Sequence, residues 1–260
     1  MQYYDTHAHL NSDQFADDRA DVYARMRQAG VTRVNEIGYD LESSARAVAT
    51  ATRQPGCWAV VGIQPNHPEV LTIPDWLAQL TAIAQHPRVV AIGEIGFDHH
   101  YAKAPVAVQE ELFRTQIDLA ARLHKPIVIH SREAHADTLR VLSDVRHPYG
   151  VVLHSFSGDV AYAEACVAIG CTLSLSGPIT FKNNHAMHAV VAAIPLAHLL
   201  IETDSPYLAP HPYRGKRNEP THVPLVAAAI AARKGLADAE VAQATWHNAQ
   251  RIFGLRDDDR

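Results

Sequence analysis

The chain alternates short apolar segments with longer amphipathic ones along its whole length. The apolar segments are rich in β-branched residues and largely lack polar alternation, which is typical of strands buried on both faces of a parallel sheet. They predict eight strands, over residues 3–7, 31–38, 58–64, 89–95, 126–130, 150–156, 171–177 and 199–204. Segments with helical spacing lie between them, such as 17–29, 41–53, 105–123, 134–145 and 161–169.

Eight strand–helix repeats in 260 residues predict an α/β fold, a single (β/α)8 TIM barrel of the metal-dependent hydrolase type. An open, doubly wound sheet is the alternative, but it needs a glycine-rich phosphate turn after the first strand. The first strand here leads into Thr6-His7-Ala8-His9, which contains no glycine. The barrel is therefore favoured, as one domain over 1–260 whose charged tail, 256–260, is expected to fray.

Composition excludes several classes of protein. Apolar residues make up 47% and charged residues 20%, which is enough to fill a core. No apolar run approaches the roughly 18 residues that span a bilayer, and the first residues lack the pattern of a signal peptide. Three cysteines, Cys57, Cys166 and Cys171, are expected to be buried thiols in a reducing compartment. We therefore expect a cytoplasmic protein with no membrane partner; its oligomeric state stays open.

Metal-binding residue types stand where the predicted strands end. In such barrels the carboxyl-terminal strand ends form the active-site face. Six side chains from five strands would meet there: His7, His9, Glu94, His130, His154 and Asp204. Residues at i and i+2 of a strand point the same way, so His7 and His9 can bind one cation together.

Six such side chains exceed the needs of one tetrahedral site. They suit two divalent ions about 3.5–4 Å apart that share a carboxylate, and Glu94 is the expected bridge. The mixed nitrogen and oxygen ligands leave zinc, magnesium, manganese and nickel open. The formal net charge is −5, which does not favour a protein that binds nucleic acid nonspecifically through a basic surface. A nuclease stays possible, because bound metal ions can supply positive charge to its site.

Six segments of the chain resemble the successive motifs of the TatD family of metal-dependent deoxyribonucleases. They are DTHAHL (5–10), GEIGFD (93–98), IHSR (129–132), HSFSG (154–158), ETDSPYL (202–208) and PYRGKRNEP (212–220). The resemblance runs from Asp5 to about Leu255. It implies an amidohydrolase-like TIM barrel that hydrolyses phosphodiesters in DNA, and the family's metal ligands fall on the six residues named above.

The chain departs from this family in two places. The third strand is followed by GIQPNH (62–67), so Gln64 stands where the family usually has a histidine, and His67 could substitute only from the following loop. Ser155 stands where a cysteine is common, and we expect this exchange to be tolerated because both side chains are small.

The expected reaction is attack on phosphorus by a metal-activated water, with Asp204 and Glu94 as the catalytic carboxylates. Asp204 would orient or deprotonate the water. The candidate substrate-binding residues are Arg132, Tyr207, Arg214, Lys216 and Arg217. Guanidinium groups suit phosphate oxygens, and the aromatic face of Tyr207 suits a base. This would make the protein a deoxyribonuclease that acts as an exonuclease, with DNA as its partner.

Two other classes of function stay open. The first is a metal-dependent ester or amide hydrolase with another substrate, such as an aminoacyl-tRNA deacylase or a small-molecule amidohydrolase, because the fold does not fix the substrate. Many such enzymes bridge their metals with a carbamylated lysine, whereas Lys125 precedes the fifth strand instead of ending it. The second is a metal-binding protein without catalysis, against which the intact set of six ligands argues.

Overall fold

The computed structural model describes residues 1–101 and 104–259. Within these ranges eight parallel strands follow one another around a sheet in chain order, each hydrogen-bonded to the next. The strands are β1 (Tyr3–Ala8), β2 (Val31–Ile37), β3 (Cys57–Val61), β4 (Val89–Asp98), β5 (Ile127–Arg132), β6 (Val151–Leu153), β7 (Cys171–Leu175) and β8 (Leu199–Ile201). The predicted TIM barrel is confirmed.

Helices connect the strands on the outside of the barrel. Those in the described ranges are α1 (Arg19–Gln28), α2 (Leu41–Arg53), α3 (Trp76–Ala84), α4 (Val106–Arg122), α5 (His135–Val145), α6 (Val160–Ala168), α7 (His185–Ala193), α8 (Val223–Lys234) and α9 (Asp238–Phe253). None of these helices is long and apolar enough to cross a bilayer. α2 shows why such a helix begins where it does: the Asp40 carboxylate accepts the Ser43 N–H at 2.6 Å, and the Ser43 hydroxyl accepts the Asp40 N–H at 2.9 Å.

The barrel closes between its first and last strands at one end. The Asp204 N–H donates to the His7 carbonyl at 2.9 Å, and the His9 N–H donates to the Ser205 carbonyl at 2.7 Å. The buried Asp5 carboxylate also accepts the Thr203 N–H at 2.9 Å. These bonds join the end of β1 to the segment after β8, at the end where the candidate site residues lie.

The interior of the barrel is packed with side chains, as expected for a barrel of this size. A small apolar cluster takes residues from seven strands, and α9 covers it at the amino-terminal end of the barrel. Tyr4 lies with its ring centroid 5.9 Å from that of Trp246 in α9. A larger cluster fills the space between the sheet and the outer helices. The amino-terminal end of the barrel is thus closed by packed side chains, and the cavity lies at the opposite end.

Most predicted strands are wrong at their carboxyl ends: strands 58–64 and 171–177 end at Val61 and Leu175, and strands 89–95 and 126–130 continue to Asp98 and Arg132. Strand 150–156 ends at Leu153, and strand 199–204 ends at Ile201. Ser155 and Asp204 have φ angles of 39° and 56°, which no strand residue adopts. His154 and Asp204 therefore lie just beyond their strands instead of within them. The tail through Asp259 lies against Arg33, which donates to the carbonyls of Arg256 and Asp259, and Arg260 lies outside the described residues.

Candidate metal centre

The six candidate ligands lie together at the carboxyl-terminal mouth of the barrel. They come from the end of β1, from β4 and β5, and from the segments after β6 and β8: His7, His9, Glu94, His130, His154 and Asp204. The side chains of Glu94 and His7 are almost completely buried, whereas that of Asp204 is 12% exposed. The site is therefore a deep one, with Asp204 nearer to solvent.

One group of ligand atoms gathers around the end of β1. The Nε2 atoms of His7 and His9 lie 3.3 Å apart. Asp204 Oδ1 lies 3.7 Å from the first and 3.4 Å from the second. Glu94 Oε2 lies 3.6 Å and 3.9 Å from the same two nitrogens. These four side chains surround one small volume.

A second group lies on the other side of Glu94. Its Oε1 is 2.5 Å from Nδ1 of His130 and 2.9 Å from Nε2 of His154. The two nitrogens are 3.3 Å apart. Glu94 thus turns one oxygen to each group, as a bridging carboxylate would.

This donor set fits divalent cations. Imidazole nitrogens that face each other at 3.3 Å repel through their lone pairs unless a proton or a cation lies between them. In the described chain neither Glu94 nor Asp204 forms a salt bridge with a lysine or arginine. Burial would raise the pKa of the Glu94 carboxyl, but the charges of His154 and His130 outweigh it and hold that pKa well below its usual range. The carboxylate is thus arranged to face positive charge, which metal ions would supply.

Some polar partners of the ligands were missing from the sequence prediction. Asp98, at the end of β4, lies with Oδ2 3.0 Å from Nε2 of His130, which leaves Nδ1 to face Glu94. Gln64 Nε2 donates to Glu94 Oε1 at 3.1 Å. A carboxylate behind a metal-binding imidazole fixes the tautomer of the ring. Asp98 could have been found from its place in the GEIGFD motif, at the far end of the same strand as Glu94.

Glu202 was also missed. It is completely buried, its Oε1 accepts the Ser155 N–H at 2.8 Å, and the same oxygen lies 3.4 Å from Nδ1 of His154. With His7 and His154 it forms a third group of potential ligand atoms within 4.8 Å of one another. Its position two residues before Asp204 is the signal that could have revealed it.

A cavity of about 800 Å³ opens beside the metal centre. Its lining includes His9, Glu94, His130, His154 and Asp204, and also two of the candidate substrate-binding residues, Arg132 and Tyr207. The Arg132 guanidinium lies over the Tyr101 ring at 5.0 Å. The Tyr207 ring is 53% exposed and has its edge toward His9, with 6.1 Å between ring centroids.

The other three candidate substrate-binding residues are not among the residues that line this cavity in the described chain. Arg217 donates to Asp18 at 2.6 Å and lies over the Phe15 ring. Arg214 lies over the Phe181 ring at 4.6 Å, and Lys216 is exposed. The structure therefore places Arg132 and Tyr207 in the wall of the cavity. Arg217 instead joins the loop after β8 to Asp18, just before α1.

The structure shows what His67 and Ser155, at the two departures from the family motifs, contact. His67 does not line the cavity; it stacks on Tyr39 at 5.3 Å and lies 2.9 Å from Glu69. The Ser155 hydroxyl lies 2.9 Å from the Ser176 hydroxyl, so a small polar side chain fits there.

Comparisons with known proteins show the family to which the chain belongs. The family model described as TatD related DNase matches residues 4–254. The uncharacterized metal-dependent hydrolase YabD of Bacillus subtilis is 40% identical over 97% of this chain and 99% of its own. A protein of Pantoea vagans named 3'-5' ssDNA/RNA exonuclease TatD is 35% identical over 97% and 99%. The crystal structure of YjjV, a TatD homologue of Escherichia coli, superimposes with a TM-score of 0.91, at 31% identity, over 98% of each chain.

Proposed function

Because the chain belongs to the family of TatD-related DNases, and is thus a metal-dependent hydrolase acting on ester bonds, we propose that it is an exonuclease that removes nucleotides from single-stranded DNA. The observation that carries this proposal is the pair of histidine groups on either side of Glu94, beside a cavity lined by Arg132 and Tyr207. The name of the Pantoea relative points to the same class of substrate.

The six ligands would hold two divalent cations, with Glu94 between them. When bound, such ions neutralise charge on the phosphoryl oxygens and lower the pKa of water toward neutrality. His7, His9 and Asp204 would hold one cation, and His130 and His154 would hold the other. Because Asp98 occupies Nε2 of His130, that ring can offer only Nδ1 to the centre.

Asp204 is the carboxylate suited to proton transfer. It lines the cavity and is more exposed than Glu94, whose side chain is 2% exposed. An attacking water that enters from the cavity meets the Asp204 carboxylate, which accepts its proton, while Glu94 stays fixed by contacts to both histidine groups. General base catalysis of this kind contributes about 10²–10⁴-fold to a rate.

Arg132 and Tyr207 would bind the strand next to the scissile bond. Arg132 makes no salt bridge with a carboxylate in the described chain, so its guanidinium is available to phosphate oxygens. The exposed Tyr207 ring offers a stacking surface for a base, and the bases of a single strand are free to lie against it. A cavity of about 800 Å³ is within the range of sites that enclose small ligands, which suits the end of a strand better than a duplex.

Digestion of labelled oligonucleotides tests the proposal. The protein, stripped of metal and reloaded with Mg²⁺, Mn²⁺, Zn²⁺ or Ni²⁺, is given single-stranded and double-stranded DNA labelled at either end, a matching RNA, and a closed circular single strand. We expect stepwise release of mononucleotides from linear single strands and no cleavage of the circle. Cleavage of the circle would contradict exonuclease action, and no cleavage with any metal would contradict the proposed function.

A further inference from the structure

Glu202 occupies an unusual position behind the metal centre. It follows β8, is completely buried, and makes one clear hydrogen bond, from the Ser155 N–H to Oε1 at 2.8 Å. Its other oxygen, Oε2, has no hydrogen-bond partner in the described chain. A buried polar atom without a partner costs about 1–3 kcal/mol of stability. A neutral amide oxygen could accept the Ser155 N–H equally well, so that hydrogen bond does not explain a carboxylate at this position.

The neighbours of Glu202 are two stacked imidazoles. The rings of His7 and His154 lie 3.9 Å apart with an angle of 11° between their planes. Each ring turns its Nε2 toward the metal centre: that of His7 to His9 and Asp204, that of His154 to Glu94. A neutral imidazole that offers Nε2 as a ligand must carry its proton on Nδ1.

A buried Nδ1–H group needs an acceptor. For His154 the carboxylate oxygen that faces Nδ1 is Glu202 Oε1, at 3.4 Å, which is long for a hydrogen bond. The Nδ1 of His7 has no hydrogen-bond partner, although a ring nitrogen of His7 belongs to the same group of atoms within 4.8 Å as Glu202. The Glu202 carboxylate therefore contacts His154, and it lies within 4.8 Å of a ring nitrogen of His7.

We infer that Glu202 is a positioning residue that holds the His154 ring in the tautomer that presents Nε2 to the cation site. This inference rests on the proposed metal-dependent function. The negative charge of Glu202 behind the ring also makes Nε2 a better ligand. Loss of such a carboxylate lowers metal affinity by about 10–100-fold in other metal sites.

Metal affinity, measured without turnover, tests the role. Mn²⁺ is titrated calorimetrically into the metal-stripped full chain and into Glu202→Gln, which removes the charge but keeps an oxygen for the Ser155 N–H. We expect Mn²⁺ binding about 10–100-fold weaker, with an unchanged circular dichroism spectrum. The matched control, at pH 8, is Glu36→Gln, which removes another fully buried carboxyl group, on β2, that accepts from the Asn11 N–H and the Tyr23 hydroxyl. It should bind Mn²⁺ like the wild type.

A double-mutant cycle separates this role from general loosening of the site. If Glu202 acts through His154, Glu202→Gln should change the affinity little when His154 is already alanine. In the His9→Ala background, Glu202→Gln should lower the Mn²⁺ affinity by the same factor as in the wild type, because Glu202 contacts His154 and not His9. Equal effects in both backgrounds would overturn the inference.

The remaining outcomes are also informative. Wild-type affinity in Glu202→Gln would overturn the inference and leave the proposed function intact. A wild-type chain that binds no Mn²⁺, Mg²⁺ or Zn²⁺ would overturn the proposed function, and the inference with it. Should Glu202→Gln not fold, Glu202→Asp serves instead: it keeps the charge and withdraws it from His154, so weaker binding is expected and unchanged binding would contradict the inference.

Discussion

The rings of His7 and His154 lie stacked at 3.9 Å, although one belongs to the first strand of the barrel and the other follows the sixth. The stack joins the two histidine groups on either side of Glu94 into one centre. It also places both rings next to Glu202. Changes on any of these elements should therefore affect metal binding and hydrolysis together.

Asp204→Asn and His7→Ala should each lower kcat by at least about 100-fold, because the first removes the proton acceptor and the second a cation-binding nitrogen. Steady-state hydrolysis of a single-stranded oligonucleotide at saturating Mn²⁺ measures the effect. His247→Ala, at an exposed position of α9, is the control and should retain wild-type activity. Near-normal hydrolysis in either of the first two variants would reject these assignments.

Removal of metal should destabilise the folded protein as well as abolish hydrolysis. Ligands that bind only the native state stabilise it by about 2.7 kcal/mol at 100 times their Kd. Thermal unfolding with EDTA, and then with excess Mn²⁺, should show a rise in Tm when metal is added. The rise should be smaller in His7→Ala; a Tm that does not respond to metal in the wild type would contradict a two-ion centre.

Arg132→Gln should raise KM for single-stranded DNA by roughly tenfold and reduce the salt dependence of kcat/KM by about one phosphate contact. Arg217→Gln is the comparison, since its guanidinium is engaged by Asp18 and lies over Phe15. It should cost up to about 1 kcal/mol of stability and leave the salt dependence unchanged. If Arg217→Gln reduced the salt dependence and Arg132→Gln did not, phosphate binding would be assigned to the loop after β8 and not to Arg132.

Gly96→Ala should distort the neighbouring strand at His130. Gly96 has φ of 138°, and a Cβ there would lie 2.1 Å from the His130 carbonyl oxygen. We expect a loss of about 3 kcal/mol or more in urea denaturation, with weaker Mn²⁺ binding. Gly170→Ala is the matched control: its φ of 92° is also positive, but no atom lies within 4 Å of the added Cβ. It should lose only about 1 kcal/mol and bind metal normally.

The contribution of Glu36 to stability should fall as the pH rises from about 4.5 to about 7. Burial raises the pKa of this carboxyl to about 7 from its ordinary 4.5. The folded state therefore holds a proton that the unfolded state has released, and the stabilisation present below pH 4.5 is lost as the pH rises to about 7. The difference corresponds to about 3 kcal/mol. In urea denaturation from pH 4.5 to 8, the free energy of unfolding of the wild type should fall relative to that of Glu36→Gln; an identical pH dependence in the two proteins would contradict this role.

The periodicity of the chain predicted the barrel because it is a local property. Apolar segments of strand length, amphipathic segments between them and the i, i+2 spacing of His7 and His9 each depend on residues near in sequence. Once the barrel is inferred, its geometry brings all strand ends to one mouth. That is why candidate ligands from five separate segments could be named without coordinates.

Other features depended on contacts between distant segments. The sequence could not show that the chain turns at Ser155 and Asp204, that Asp98 and Glu202 lie behind His130 and His154, or that Arg217 pairs with Asp18. Which acid a guanidinium meets, and which nitrogen an imidazole turns inward, depends on the packing of elements far apart in the chain. The sequence by itself determined the barrel and the ligand types at its mouth, whereas tertiary packing decided which side chains face the cavity, because side-chain direction beyond a strand end has no local periodicity.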